Sequence, residues 1–266
     1  MKIKTAEKLM WGMTALFAFL RVLQYVFVIG KDGFFIKETL WQNLLSNALY
    51  ILMAAFAVLS FALRIIKTNR YNTDAVIVCT TQTAMVSLIN AVIMAVYAIV
   101  LLINKEWLGA VVLPAALYFL LLYFYADGKN VPIMHYMAVF ALAYPCIRVI
   151  NMFFNTFKEI KLSENIIDMV SMCAMIIAIL ALTKLCMGFQ EKMSKFAWSI
   201  LLYGGFGVLS GIGKLFGLFW TNSLDAVSVM AAVSDLALWG LMLVIYHSCT
   251  TFEPITEDET VQEQED

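Results

Sequence analysis

Two arginines lie inside runs of residues otherwise suited to lipid: Arg21 in "AFLRVLQYVF" (18–27) and Arg148 in "PCIRVINMFF" (145–154). A guanidinium stays charged at any physiological pH and presents a planar fork that holds a carboxylate or phosphate bidentately. Within a membrane such a charge costs roughly 2.5–3.5 kcal/mol on insertion scales, so it must face protein or water and have a partner. Each arginine has an amide three residues later, Gln24 and Asn151, on the same helix face. Pro145 precedes Arg148 by three residues and removes one backbone hydrogen bond, which favours a local opening beside Arg148; Ala18 holds the corresponding place before Arg21.

The candidate counter-ions are Asp168, Asp225 and Asp235, with Lys214 as a third base. Asp235 matches the depth of the arginines, and Lys214 is placed for Asp168 or Asp225. Two arrangements follow. In one, three bases and three acids neutralise one another as buried structural pairs. In the other, Arg148, Asn151, Arg21 and Gln24, joined by Lys214, line a polar cavity for a small anionic or carboxylate-bearing solute, with Asp235 as a titratable or competing partner. The proline points to the cavity at Arg148 and to structural pairing at Arg21. Asn90, Tyr97, Ser210 and Ser234 are further residues suited to lining such a cavity.

Elements of membrane-spanning length must position these groups. The chain is 62% hydrophobic and 14% charged, with a mean hydropathy of +0.84, too apolar to be covered by polar surface in water. Eight apolar segments are long enough to cross roughly 30 Å of hydrocarbon as helix: 9–30, 41–63, 76–103, 107–126, 132–156, 165–187, 196–219 and 225–248. The third is overlong and can begin as late as "TTQT"; the seventh carries "YGGFGVLSGIGKLFG", whose small residues suit close helix packing. The expected fold class is all-α, a polytopic transmembrane bundle.

Sliding the sequence against itself by 127 residues lays "RVLQYVFVIGKD" on "RVINMFFNTFKE", so both read R-V-[LI]-[QN]-x-x-F-x-x-x-K-[DE]. With a shorter loop, Asn43 falls on Asn165 and Met53 on Met175. These polar coincidences predict two four-helix repeats in parallel orientation, 1–127 and 128–252, related by an axis along the membrane normal. Both arginines then sit ten residues, about 15 Å, inside the lysine–acid pair that ends their helix. Lysines and arginines are twice as frequent in the segments on the side of the N-terminus as on the other, which predicts cytoplasmic termini in a multi-pass cell-membrane protein. The N-terminal run, interrupted by Arg21 and without a small-x-small cleavage site, reads as a retained helix. Residues 253–266 hold seven acidic residues and no basic one and read as a disordered cytosolic tail.

The remaining chemistry is sparse. Five cysteines show no C-x-x-C spacing and none falls in an outer loop, so neither a disulfide framework nor a metal site is expected. His135 and His247 fall at helix ends, and no HExxH, G-x-S-x-G or P-loop is present. No cofactor and no nucleic acid is expected, the net charge being −1 with no basic face. Loops too short for an ATPase domain leave a secondary transporter or permease for a small solute as the first functional expectation. A membrane-embedded sensor or accessory subunit, acting on a cytosolic or membrane partner through the acidic tail, is the second. An intramembrane enzyme is the third. In each case the lipid bilayer is itself a partner.

Overall fold

The structure is a computed structural model, and it describes residues 3–29, 40–65, 80–127, 129, 131–156, 162–189, 193–222 and 224–251. Among these, eight helices follow in chain order: α1 (Ile3–Phe27), α2 (Leu40–Ile65), α3 (Thr81–Ile103), α4 (Gly109–Ala126), α5 (Met134–Thr156), α6 (Leu162–Cys186), α7 (Met193–Trp220) and α8 (Ala226–Thr251). Seven of them, α2 to α8, are long and apolar enough to cross a membrane, while α1 contributes the shorter apolar stretch Trp11–Phe27. The acidic tail and both lysine–acid pairs, Lys31–Asp32 and Lys158–Glu159, lie outside the described residues.

Local chemistry sets the helix ends. Thr80 has an extended backbone and its hydroxyl accepts the Thr83 amide at 3.1 Å, so α3 starts at the threonine-rich segment. The other end of α3 closes with Glu106 N–H on Leu101 O and Lys105 N–H on Leu102 O, with Lys105 at φ 61°. The same pair of bonds, Phe189 N–H to Lys184 O and Gly188 N–H to Leu185 O, ends α6, and there glycine supplies the left-handed residue at φ 76°. Helix α5 runs on through Pro145, and α4 through Pro114.

Helices α3 to α8 pack in chain order, α3 on α4, α4 on α5 and so on to α7 on α8, and α8 returns to α3, which closes a six-helix ring. Helices α1 and α2 pack on each other and on α7, outside that ring. As the meeting point of α1, α2, α6 and α8, α7 is 89% buried along its span, against 24% for α2. Its glycines are the reason it can be approached from so many sides. A β-carbon on Gly211 would come within 2.6 Å of Leu236 on α8, one on Gly213 within 2.9 Å of the Arg21 Nε, and one on Gly217 within 2.6 Å of the Tyr25 hydroxyl. Tight packing is thus what the small residues of the seventh segment provide.

The expected two-repeat arrangement does not emerge from this packing. The hairpins α1–α2 and α5–α6 both form, as do α3–α4 and α7–α8, but α5 and α6 are ring members whereas α1 and α2 lie outside it.

Candidate functional site

The ring encloses a chain of charges drawn from four helices. Arg148 on α5 reaches across to Asp235 on α8, with Nη1 2.6 Å from Oδ1 and Nη2 3.2 Å from Oδ2. Lys214 on α7 donates to the same Oδ2 at 2.9 Å and approaches Oδ2 of Asp168 on α6 at 3.1 Å. The second oxygen of Asp168 accepts the Ser210 hydroxyl at 2.8 Å. Ser210 stands one helical turn before Lys214, so a single face of α7 serves both oxygens of Asp168. The order is therefore Arg148, Asp235, Lys214, Asp168, Ser210: two cations and two carboxylates alternating.

Burial is graded along this chain. Asp235 is 1% exposed and Arg148 7%, whereas Lys214 and Asp168 are 19% and 16% exposed. A buried ion pair persists only where its geometry is good and its remaining valences are met. Arg148 Nη1 also donates to the Tyr144 hydroxyl at 2.6 Å, and the guanidinium lies 5.4 Å from that ring's centre. Tyr97 on α3 meets Tyr144 edge-on at 6.4 Å, and the Tyr203 hydroxyl on α7 donates to the Asp235 main-chain carbonyl at 3.1 Å. Three buried tyrosines thus pack around the pair.

The other sequence candidates are placed elsewhere. Arg21, also buried, donates to the Gln24 side chain and, at 3.3 Å, to the Tyr25 hydroxyl. It lies against Gly213 of α7, next in sequence to Lys214. Asn151 is half-buried and makes none of the hydrogen bonds of the cluster. Asp225, expected within reach of Lys214, instead caps α8: its Oδ1 accepts the Ser228 amide at 2.8 Å. Burial pushes this carboxyl up, but the Ser228 hydroxyl and amide outweigh burial and hold it below the usual carboxylate range.

Arg148, beside the proline, is in an ion pair with Asp235. The proline is accommodated within a continuous α5, and the space beside Arg148 is filled by Tyr144 and Asp235. The groove of about 610 Å³ between α3, α4 and α5 is lined by apolar residues such as Leu88, Leu117 and Phe140 and lies away from the charges. Compared with family models, curated proteins and solved structures, the chain matches none.

Of the remaining candidates, Ser210 and Tyr97 lie in the cluster, and Ser234 donates to Ala231 O of its own helix and is also a hydrogen-bond partner of the Tyr144 side chain. Asn90 donates to Ala237 O of α8 at 2.8 Å, while its own side-chain oxygen is buried without a hydrogen-bond partner. Tyr144 and Tyr203 were missed in the sequence, yet both carry a signal. Tyr144 precedes Arg148 by one turn, and Tyr203 precedes Lys214 by three, which puts each on the helix face of a charged residue of the cluster. His135 and His247 are exposed at their helix ends.

Chemically, the arrangement is a three-donor clasp filled by the Asp235 carboxylate. Arg148 supplies the bidentate fork and Lys214 a third donor, both aimed at the place where Asp235 sits.

Proposed function

We propose that this chain is a small secondary transporter or permease of the cell membrane, with both termini cytoplasmic, for a small carboxylate-bearing anion. The observation that supports it is the triple donation to Asp235 from Arg148 and Lys214 at 2.6–3.2 Å, deep in a helical ring. Any solute carboxylate that enters from the Lys214–Asp168 end, where the cluster is partly exposed, meets the same two cations. Asp235 holds their place while the site is empty, which spares the ring interior two uncompensated positive charges. Six helices closed around the charged groups keep them among protein walls rather than in lipid. The duplicated R-V-[LI]-[QN] segment supports descent of α1 and α5 from one ancestral helix whose copies now differ in role.

The test is uptake by liposomes that contain only the purified chain, with radiolabelled small carboxylates as a panel. Flux that is lost in Arg148→Gln supports the reading, and no flux of any panel member above empty liposomes overturns it.

One observation favours a second reading, a sensor or accessory subunit. The four charges of the cluster neutralise one another fully, which is also what a purely structural pin needs. On that reading a protein partner co-purifies with the chain and is lost when 253–266 is deleted, while liposomes with the chain alone stay impermeable.

A further inference from the structure

Arg148 and Lys214 set against Asp168 and Asp235 leave the cluster with no net charge. An anion that enters it brings one negative charge into a ring whose innermost carboxylate is 1% exposed. In so dry a place an uncompensated carboxylate costs several kcal/mol, and a group in that position discharges by binding a proton. The question is which group does so.

The groups facing Asp235 are Arg148 and Tyr144 from α5, Lys214 and Tyr203 from α7 and Tyr97 from α3, with Asp168 of α6 reached through Lys214. The two carboxylates differ in what they keep when an anion takes the cations. Asp168 retains the Ser210 hydroxyl and is partly exposed. Every bond that the Asp235 side chain makes is to Arg148 or Lys214, the same two groups the anion needs. It therefore loses all of them at once.

We propose that Asp235 is the proton-accepting group of an anion–proton symport. A small carboxylate takes Arg148 and Lys214 from Asp235, and Asp235 binds one proton from water as it lets them go. A carboxylate oxygen of Asp235 gains the proton, no bond within the anion changes, and the cluster is uncharged before and after. Two species of opposite charge thus enter together, which makes the movement electroneutral. This inference rests on the transport reading given above and names its coupling ion.

The test uses the full chain in lipid nanodiscs near neutral pH. Sodium methanesulfonate and sodium glycolate, both ionised there, are titrated calorimetrically in two buffers of different ionisation enthalpy, which yields the protons taken up per anion bound. The unmodified chain is expected to take up about one proton per anion. Asp235→Asn is expected to bind the same anions at least about tenfold more tightly, because the internal competitor is gone, and with no proton uptake. Should that variant fail to fold, the measurement on the unmodified chain decides alone. Binding without proton uptake overturns the coupling and leaves the anion site standing, whereas binding of neither probe overturns both. Proton uptake that persists in Asp235→Asn overturns the assignment to Asp235.

Discussion

Asp235 and Arg148 stand on helices α8 and α5, 87 residues apart, and meet through both terminal guanidinium nitrogens at 2.6 and 3.2 Å. Neither helix packs directly along the other in the ring, so the pair spans its interior and ties together two walls that otherwise touch through α3, α4, α6 and α7.

Removal of one partner should therefore cost more than removal of both. Arg148→Gln leaves Asp235 with Lys214 alone and is expected to destabilise the fold by about 3–5 kcal/mol. Adding Asp235→Asn should recover much of this loss. Thermal unfolding of the single and double variants in one detergent checks it, and equal melting temperatures for all three proteins would show that the pair carries no such weight.

At the contact of α1 with α7, Gly217→Ala puts a methyl where the Tyr25 hydroxyl would be 2.6 Å away. Overpacking of this kind costs about 1–3 kcal/mol. Gly12→Ala, on α1 with nothing within 4 Å of the new carbon, should leave stability unchanged or slightly higher. A melting comparison of the two variants separates a packing contact from a general intolerance of alanine.

The Asp225 cap has a definite pH signature. Its folded carboxyl titrates below the ordinary value, so its stabilisation is fully present above the unfolded carboxyl's pKa and fades as pH falls through the lower, folded one. Asp225→Ala should cost about 1 kcal/mol near neutral pH and progressively less in acid. A difference between parent and variant that stays constant down to the acid limit would contradict the capping role.

Sidedness can be read at two exposed turns. Lys105 closes the α3–α4 turn and Gly188 ends α6. With alternating crossings and a cytoplasmic N-terminus, Lys105→Cys should label from outside and Gly188→Cys only from inside, in a background with the native cysteines replaced. Labelling of both from the same face would break the alternation of eight crossings.

Much of the architecture is a one-dimensional property and could be read without coordinates. Apolar runs of spanning length place eight helices within a few residues of where they occur, because a backbone in hydrocarbon must satisfy its hydrogen bonds within the segment. The start of α3 at "TTQT" and the close packing of the seventh segment around its glycines are likewise legible from residue type alone. That the arginines, Lys214 and Asp235 are too costly to face lipid is also written in the sequence.

Which charges meet was decided by the tertiary structure. Arg21 and Arg148 have near-identical neighbours along the chain, yet one lies against Gly213 outside the ring and the other bridges its interior. The difference arises from the order in which helices close the ring, which depends on the summed fit of many side chains on several helices and on no local pattern. Pro145 pointed to an opening because its local effect is to remove a hydrogen bond, but the space beside it is filled by Tyr144 on the same helix and Asp235 from another. Depth in the membrane follows from counting residues along a helix; azimuth, and with it the choice of partner, is set only when the helices pack.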